Sequence, residues 1–180
     1  MKTNLFKNIL NKSRNENLYL SIYTNKENTN TFSMGIACNH DDDFILLKKV
    51  SPEGNYDGFS IILLEDVYCV EFEDIYLKKV QLVIKEDIIK LQSDVQAHLS
   101  NNFRFDDAID LFIKQQYLVS IDLIYDRGFI GYIKEFDGEN IIINNVDDNH
   151  NSEGFSIFKV SEIEKINLFS TELRAIANLK

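Results

Sequence analysis

Apolar and polar residues change their spacing several times along the chain, and each change marks an element. Tyr117 to Tyr125 alternates, with Val119, Ile121 and Leu123 apolar against Ser120 and Asp122, the period of two expected of a half-buried strand. Asp126-Arg127-Gly128 predicts a tight hairpin, Phe129 to Phe136 the next strand, Asp137-Gly138 a second turn, and Asn140 to Val146 a third strand. A polar loop, Asp147 to Glu153, precedes two more strands, Gly154 to Val160 and Glu162 to Leu168. Upstream, the same reading places strands at about Leu18 to Tyr23, Phe32 to Asn39, Phe44 to Val50, Phe59 to Leu64 and Val67 to Phe72.

These two sets of five are copies of one pattern. Gly-Phe-Ser-Ile occurs at Gly58 to Ile61 and again 96 residues later at Gly154 to Ile157. At the same offset Gly35 maps to Gly131, Ile45-Leu46-Leu47 to Ile141-Ile142-Ile143, Val50 to Val146, Val67 to Ile163 and Val70 to Ile166. Gly35 and Gly131 fall inside strands, where glycine permits a sharp bend or a close backbone approach. Five short strands per copy predict a small closed barrel in each.

Between the copies the period lengthens. Leu77, Val80, Ile84, Ile88, Leu91, Val95 and Leu99 are spaced 3, 4, 4, 3, 4 and 4 residues apart, with no glycine or proline between Phe59 and Gly128. That spacing predicts one face of a continuous helix from about Asp74, its N-cap, to Leu99, roughly 37 Å long. Leu77, Val80, Ile84, Ile88, Leu91 and Val95 form its apolar seam, to be covered by the barrels of the same chain or by a twin helix. Shorter helices are expected at about Thr3 to Lys12, Phe105 to Gln115 and Thr171 to Asn178, the last capped by Ser170. The fold expected is therefore mainly β with helices (α+β): two tandem five-stranded barrels joined by a long helix. Its parts are a leading helix and first barrel over 1–73, a connecting helix over 74–102, and a helix, second barrel and C-terminal helix over 103–180.

Composition narrows the function. The chain has 180 residues, 44% of them apolar and 27% charged, enough for a real core. Its net charge of −10 favours solubility and repels phosphate backbones, so nonspecific nucleic-acid binding is disfavoured. The first 26 residues are the exception, with Lys2, Lys7, Lys12, Arg14 and Lys26 against Glu16. Cys38 and Cys69, the two cysteines, lie in apolar strand-like runs that favour buried, inert thiols. No apolar run reaches the roughly 20 residues that cross a bilayer, and no charged-then-apolar leader opens the chain, so a cytoplasmic location is expected.

Candidate chemistry is sparse. His40-Asp41-Asp42-Asp43, and Asp147 and Asp148 with His150, bring carboxylates near an imidazole, but consecutive turn residues rarely converge on one ion, and no metal or cofactor is expected. His98 suits a helix C-terminus. No nucleophile motif or phosphate-cradling glycine loop is present, and the acid pairs Glu71 with Glu73 and Glu65 with Asp66 read as solvated edge charges, so no catalytic residue is assigned and an enzyme is not expected. Of the strand aromatics Tyr19, Tyr23, Phe32, Phe59, Phe129, Tyr132, Phe136 and Phe155, most belong to the core, although exposed ones can stack bases.

The run Val119 to Leu168, with Gly128-Phe129-Ile130-Gly131-Tyr132-Ile133-Lys134-Glu135-Phe136-Asp137, Ile157-Phe158-Lys159 and Ile163-Glu164-Lys165-Ile166, resembles the Sm-like family of SH3-like barrels, nearest the Hfq type, which also carries a leading helix. The resemblance implies RNA binding by a loop after the third strand and by a basic or His-containing turn between the fourth and fifth. Here Asn140 and Lys159 match such positions, Val160 stands where a His is wanted, and Leu63 and Leu64 occupy the turn in the first copy. Two functions follow. One is a non-catalytic interaction module, a pseudo-dimer of two copies that binds a protein partner or itself, an acidic antagonist of a basic protein included. The other is a diverged RNA-binding regulator using Asn140, Lys159, Lys12 and Arg14.

Overall fold

The computed structural model describes residues 4–26, 28–84, 99 and 103–177. In chain order the elements are α1 (Leu5–Glu16), β1 (Leu20–Tyr23), β2 (Ser33–His40), β3 (Phe44–Val50), β4 (Tyr56–Leu63), β5 (Cys69–Phe72), α2 (Ile75–Gln81), α3 (Phe105–Gln115), β6 (Leu118–Leu123), β7 (Arg127–Phe136), β8 (Asn140–Val146), β9 (Ser152–Lys159), β10 (Ile163–Leu168) and α4 (Thr171–Ala177). Short 3₁₀ turns, Leu64–Asp66 and Val160–Glu162, link β4 to β5 and β9 to β10.

All ten strands form one antiparallel sheet in the order β5-β1-β2-β3-β4-β10-β6-β7-β8-β9. The expectation of two closed barrels is therefore wrong. Closing the first copy would require β4 to pair with β5, but the outer edge of β4 is taken by β10, with Phe59 opposite Leu168, Ser60 opposite Asn167, Ile61 opposite Ile166 and Ile62 opposite Lys165. Among the described residues β5 pairs with β1 only, and β9 with β8 only.

Each half nevertheless curls. β4 and β5 stand four spacings apart in the sheet, about 19 Å if it were flat. The five residues that join them, three in a 3₁₀ turn, reach only about 16 Å. The three residues between β9 and β10 impose a tighter bend on the second half. Bulges supply curvature at Ala37/Asn39 against β3 and at Ile133/Glu135 against β8, positions 96 residues apart. Gly35 and Gly131 sit beside them. A Cβ at Gly35 would lie 2.0 Å from the Lys48 carbonyl oxygen, and one at Gly131 2.1 Å from that of Asn144.

Register repeats as well. Leu20 faces Gly35 and Phe72, while Val119 faces Gly131 and Leu168. Val50 faces Tyr56, and Val146 faces Ser152. The spacing is 96 residues from β2 to β5 and 99 over the leading helix and first strand, because the paired residues Leu20 and Gly35 are three residues further apart along the chain than Val119 and Gly131.

The long connecting helix is the second correction. Asp74 does cap α2, accepting from the Leu77 N–H at 2.8 Å, but α2 ends at Gln81. Leu82 and Val83 turn away exposed, and the Val83–Ile84 backbone runs against Gly54, which has a positive φ (76°) and no side chain to block the approach. Leu77 and Val80 are buried against Tyr19, Met34 and Val50, with Ile84 at the margin. The rest of the expected seam, Ile88, Leu91 and Val95, and also His98, lies outside the described residues.

The largest core ignores the boundary between the copies. Phe44, Leu46, Phe59, Ile61 and Leu63 of the first half pack with Phe105, Ala108, Ile109 and Phe112 of α3 and with Val119, Ile121, Ile133, Ile141, Ile166 and Leu168 of the second. A second cluster on the opposite face joins Leu10 of α1 to Leu20, Ile22, Ala37, Ile45, Leu47, Ile62 and Val67. β3 and β4 are thus buried on both faces, which explains the unbroken apolar runs Phe44–Leu47 and Ile61–Leu63. Ser13 of α1 fixes the helix to the sheet, donating to the Leu18 carbonyl (2.6 Å) and accepting from the Ala37 N–H (3.0 Å).

Gly35→Ala and Gly131→Ala are each expected to lower stability by about 2–3 kcal/mol, measured by urea unfolding, because a β-strand carbonyl cannot retreat from the added methyl without breaking its ladder.

Candidate functional site

The residues singled out for RNA do not assemble. Asn140 and Lys159 are directly opposite one another on β8 and β9. Lys12 and Arg14 belong to α1, which lies on β2, with five strands between it and β8 in the sheet order. Lys12 contacts Glu73 at 3.3 Å, Arg14 donates to Asn39 Oδ1 at 3.2 Å, and Lys7 pairs with Asp42 at 2.7 Å. The basic helix therefore meets the protein's own acceptors. The Asn140 amide is taken up by its turn, its Nδ2 donating to the Asp137 carboxylate at 3.1 and 3.3 Å.

The acidic clusters likewise serve local structure. Asp41 brackets two elements: Oδ1 accepts from the N–H groups of Asp43 and Phe44 at 2.9 and 2.7 Å, and Oδ2 accepts from Phe105 N–H at the start of α3 at 3.0 Å. Asp147 accepts from the N–H groups of Asn149 and Asn151, and the Asn151 amide holds its carboxyl below the ordinary range. His150 joins the Tyr132 hydroxyl (2.9 Å) to the Ile176 carbonyl (2.9 Å). Among the described residues no group of three or more His, Cys, Asp or Glu is placed to hold a metal ion. Glu71 accepts from the Tyr23 hydroxyl at 2.7 Å, and burial and that bond both push the phenol's pKa upward. Cys38 is buried, which raises its thiol to about 11; Cys69 is partly exposed.

A cleft at the junction of the halves is lined by Thr24, Asp66, Tyr125, Asp126 and Glu164. The Thr24 hydroxyl donates to Glu164. Burial and then the nearby Glu65 raise the carboxyl of Asp66. Its acidity makes it a poor seat for phosphate.

The most elaborated feature is the joint itself. Beyond the β4–β10 ladder, Ser60 Oγ donates to Asn167 Oδ1 (3.0 Å), and Asn167 Nδ2 to Asp122 (3.2 Å). Asp57 Oδ1 accepts from the Thr171 N–H at 2.8 Å and its carboxylate pairs with Lys49 at 3.2 Å. Arg174 donates to the Tyr56 carbonyl at 3.0 Å and lies over the Tyr56 ring. Phe44 stacks on Phe105 with ring centroids 3.9 Å apart. Gly58, at φ 78°, admits the Leu168 carbonyl to within 1.9 Å of where a Cβ would stand.

The two outer strands carry the same residue types without that cover. Phe59 and Ile61 are 0% and 1% exposed, whereas Phe155 and Ile157, 96 residues on, are 69% and 67% exposed. On the other edge Phe72 is 43% exposed, against 0% for Leu168. Sequence reading named Phe155 among eight strand aromatics expected to be mostly core; it shares the run Gly-Phe-Ser-Ile with Phe59, and its place on the outer strand exposes it. Among the described residues no helix is long and apolar enough to cross a membrane. Compared with known proteins, the chain matches no family model and no curated sequence.

Asp57→Ala is expected to cost about 1–2 kcal/mol at neutral pH by thermal or urea unfolding. Burial raises the Asp57 carboxyl, but the Thr171 N–H and Lys49 outweigh it and hold the net pKa below the ordinary value. A depressed folded-state pKa gives stability that is complete above the unfolded pKa, about 4, and is lost as pH falls through the folded one. The difference between wild type and Asp57→Ala should therefore shrink steadily below about pH 4.

Proposed function

We propose that the chain is a non-catalytic interaction module that binds protein through the exposed edges of its sheet. The observation that carries this reading is the pair of edge strands bearing exposed Phe155, Ile157 and Phe72, since an edge offers unpaired backbone donors and acceptors and its apolar side chains supply the area. The net charge of −10, which repels phosphate backbones, also favours a protein partner over nucleic acid. The two halves act as a pseudo-dimer held by β4 and β10. The likeness to Sm-like chains enters as one of element order, a helix followed by five strands, without closed barrels. A cytoplasmic setting suits the two free thiols.

RNA binding is the competing reading, resting on Asn140 and Lys159, which do share one end of the sheet. A photoreactive amino acid in place of Phe155 separates the two. The expected adducts are with protein alone, and a mixed pool of short RNAs should show no affinity that falls between about 50 and about 200 mM salt. RNA adducts at position 155, or a salt-sensitive RNA affinity, would overturn the proposal.

A further inference from the structure

The helix that follows each set of five strands lies beside a turn of the sheet, and the space between them is filled in one half and open in the other. In the first half the chain itself fills it. The Val83 carbonyl carbon and oxygen lie 2.7 Å from where a Gly54 Cβ would stand, and Ile84 and Ile36 pack on the cluster of Tyr19, Met34, Val50, Leu77 and Val80. In the second half the equivalent space, between α4 and the β8–β9 turn, is a cavity of about 220 Å³. Tyr117, Tyr132, His150, Phe169, Leu173 and Arg174 line it.

The backbone frame of the two spaces is the same. Gly54 N–H donates to the Ser51 carbonyl at 2.9 Å, as His150 N–H donates to that of Asp147 at 3.0 Å. Asn17 and Gln116 end their helices in left-handed backbone (φ 54° and 51°), and Glu73 and Phe169 share it after their strands (φ 58° and 53°). Within that frame four side chains become rings: Leu18 corresponds to Tyr117 at the 99-residue spacing, and Ile36, Gly54 and Glu73 to Tyr132, His150 and Phe169 at 96. His150 holds φ 62°, a conformation costly for a side chain and free of strain for the glycine that stands there in the first half. The Cβ that would collide with Val83 at Gly54 is present at His150, so the path that fills the first space is barred in the second.

The walls are fixed before any ligand arrives. His150 Nε2 donates to the Ile176 carbonyl at 2.9 Å, which leaves Nδ1 to accept from the Tyr132 hydroxyl at 2.9 Å and holds both rings in place. Tyr117 and Phe169 meet edge to face with centroids 5.1 Å apart, and Leu173 is buried. Among the described residues Arg174 anchors through Nη2 alone, to the Tyr56 carbonyl at 3.0 Å and Thr171 Oγ1 at 3.2 Å, so Nη1 and Nε remain to donate. No Asp or Glu is among the described residues that line the cavity. In a chain of net charge −10 the cavity therefore has a cationic wall and aromatic sides.

We propose that this cavity binds a small planar aromatic carboxylate, with its ring among Tyr117, Tyr132 and Phe169 and its carboxylate on the Arg174 guanidinium. Rings offer a flat ligand stacking and edge contacts, and the guanidinium offers a carboxylate paired N–H donors. A volume of about 220 Å³ restricts the ligand to one ring or a fused pair. An aromatic amine would set its cation against Arg174 and find no carboxylate in the wall. The site is separate from the sheet edges and does not depend on what they bind.

The test is isothermal titration calorimetry of the full chain with indole-3-acetate, for which a Kd on the order of 0.1–1 mM is expected. Tyr132→Ile, which installs the residue of the first half, and Arg174→Gln, each checked for folding by circular dichroism, should weaken binding about tenfold. Tryptamine, the same ring with the opposite charge, should bind at least about tenfold more weakly than indole-3-acetate. A Kd for indole-3-acetate above about 10 mM overturns the proposal. So does affinity unchanged in both folded variants, which puts the ligand elsewhere, or tryptamine binding as well as the acid. Adenosine monophosphate binding more tightly than indole-3-acetate overturns it in favour of a nucleotide. The tryptamine and nucleotide comparisons use the wild-type chain and stand whether or not a variant folds.

Discussion

The backbone ladder between β4 and β10 is the constraint on which the rest of the structure depends. It takes up the edge that barrel closure would have used and turns two curled half-sheets into one. It also places α3 over the first half, so that Phe105, Ile109 and Phe112 share a core with Phe44, Phe59 and Ile61. Without it β3 and β4 would expose one apolar face each, and their unbroken runs of Ile and Leu would have no cover.

Glycine and acid placement decide how close the two halves come. Gly58 lets the Leu168 carbonyl approach where any side chain would block it, and Asp57 and Asp41 reach across to N–H groups at the starts of α4 and α3. An acid at a helix start satisfies donors that the helix itself cannot, and here each lies far away in sequence. Asp41 was weighed as a metal ligand because it sits among carboxylates, yet its oxygens are spent on its own turn and on Phe105. In the N-terminal helix, likewise, Lys7, Lys12 and Arg14 each meet an acceptor of the protein.

The two halves differ in what covers their equivalent residues. Equivalent residues have opposite environments: Phe59 and Ile61 are sealed, Phe155 and Ile157 open; Phe105 is sealed, Phe6 open. The edge strands β5 and β9 hold charge at Glu71, Glu153 and Lys159 and expose the apolar Phe72, Phe155 and Ile157 between them. The chain's net charge of −10 repels phosphate backbones.

Local elements were legible in the sequence because local physics makes them. Alternation gave all ten strands to within a few residues, α3 at its observed bounds, and the caps Asp74 and Ser170; the 96-residue offset anticipated which residues would occupy equivalent places in the ladders. Whether five strands close on themselves was not legible, because the unpaired N–H and C=O groups of β4 are identical whether β5 or β10 meets them, and side-chain period carries no label for the partner strand. The 3,4 spacing of Leu77, Val80 and Ile84 showed an apolar face but not where its helix stops, since the approach of Val83 to Gly54 is a contact between distant segments. Exposure of Phe155 follows the same rule: it stands in the same Gly-Phe-Ser-Ile run as Phe59, and the tertiary structure, by giving one of them a neighbouring strand, decided that one is core and the other surface.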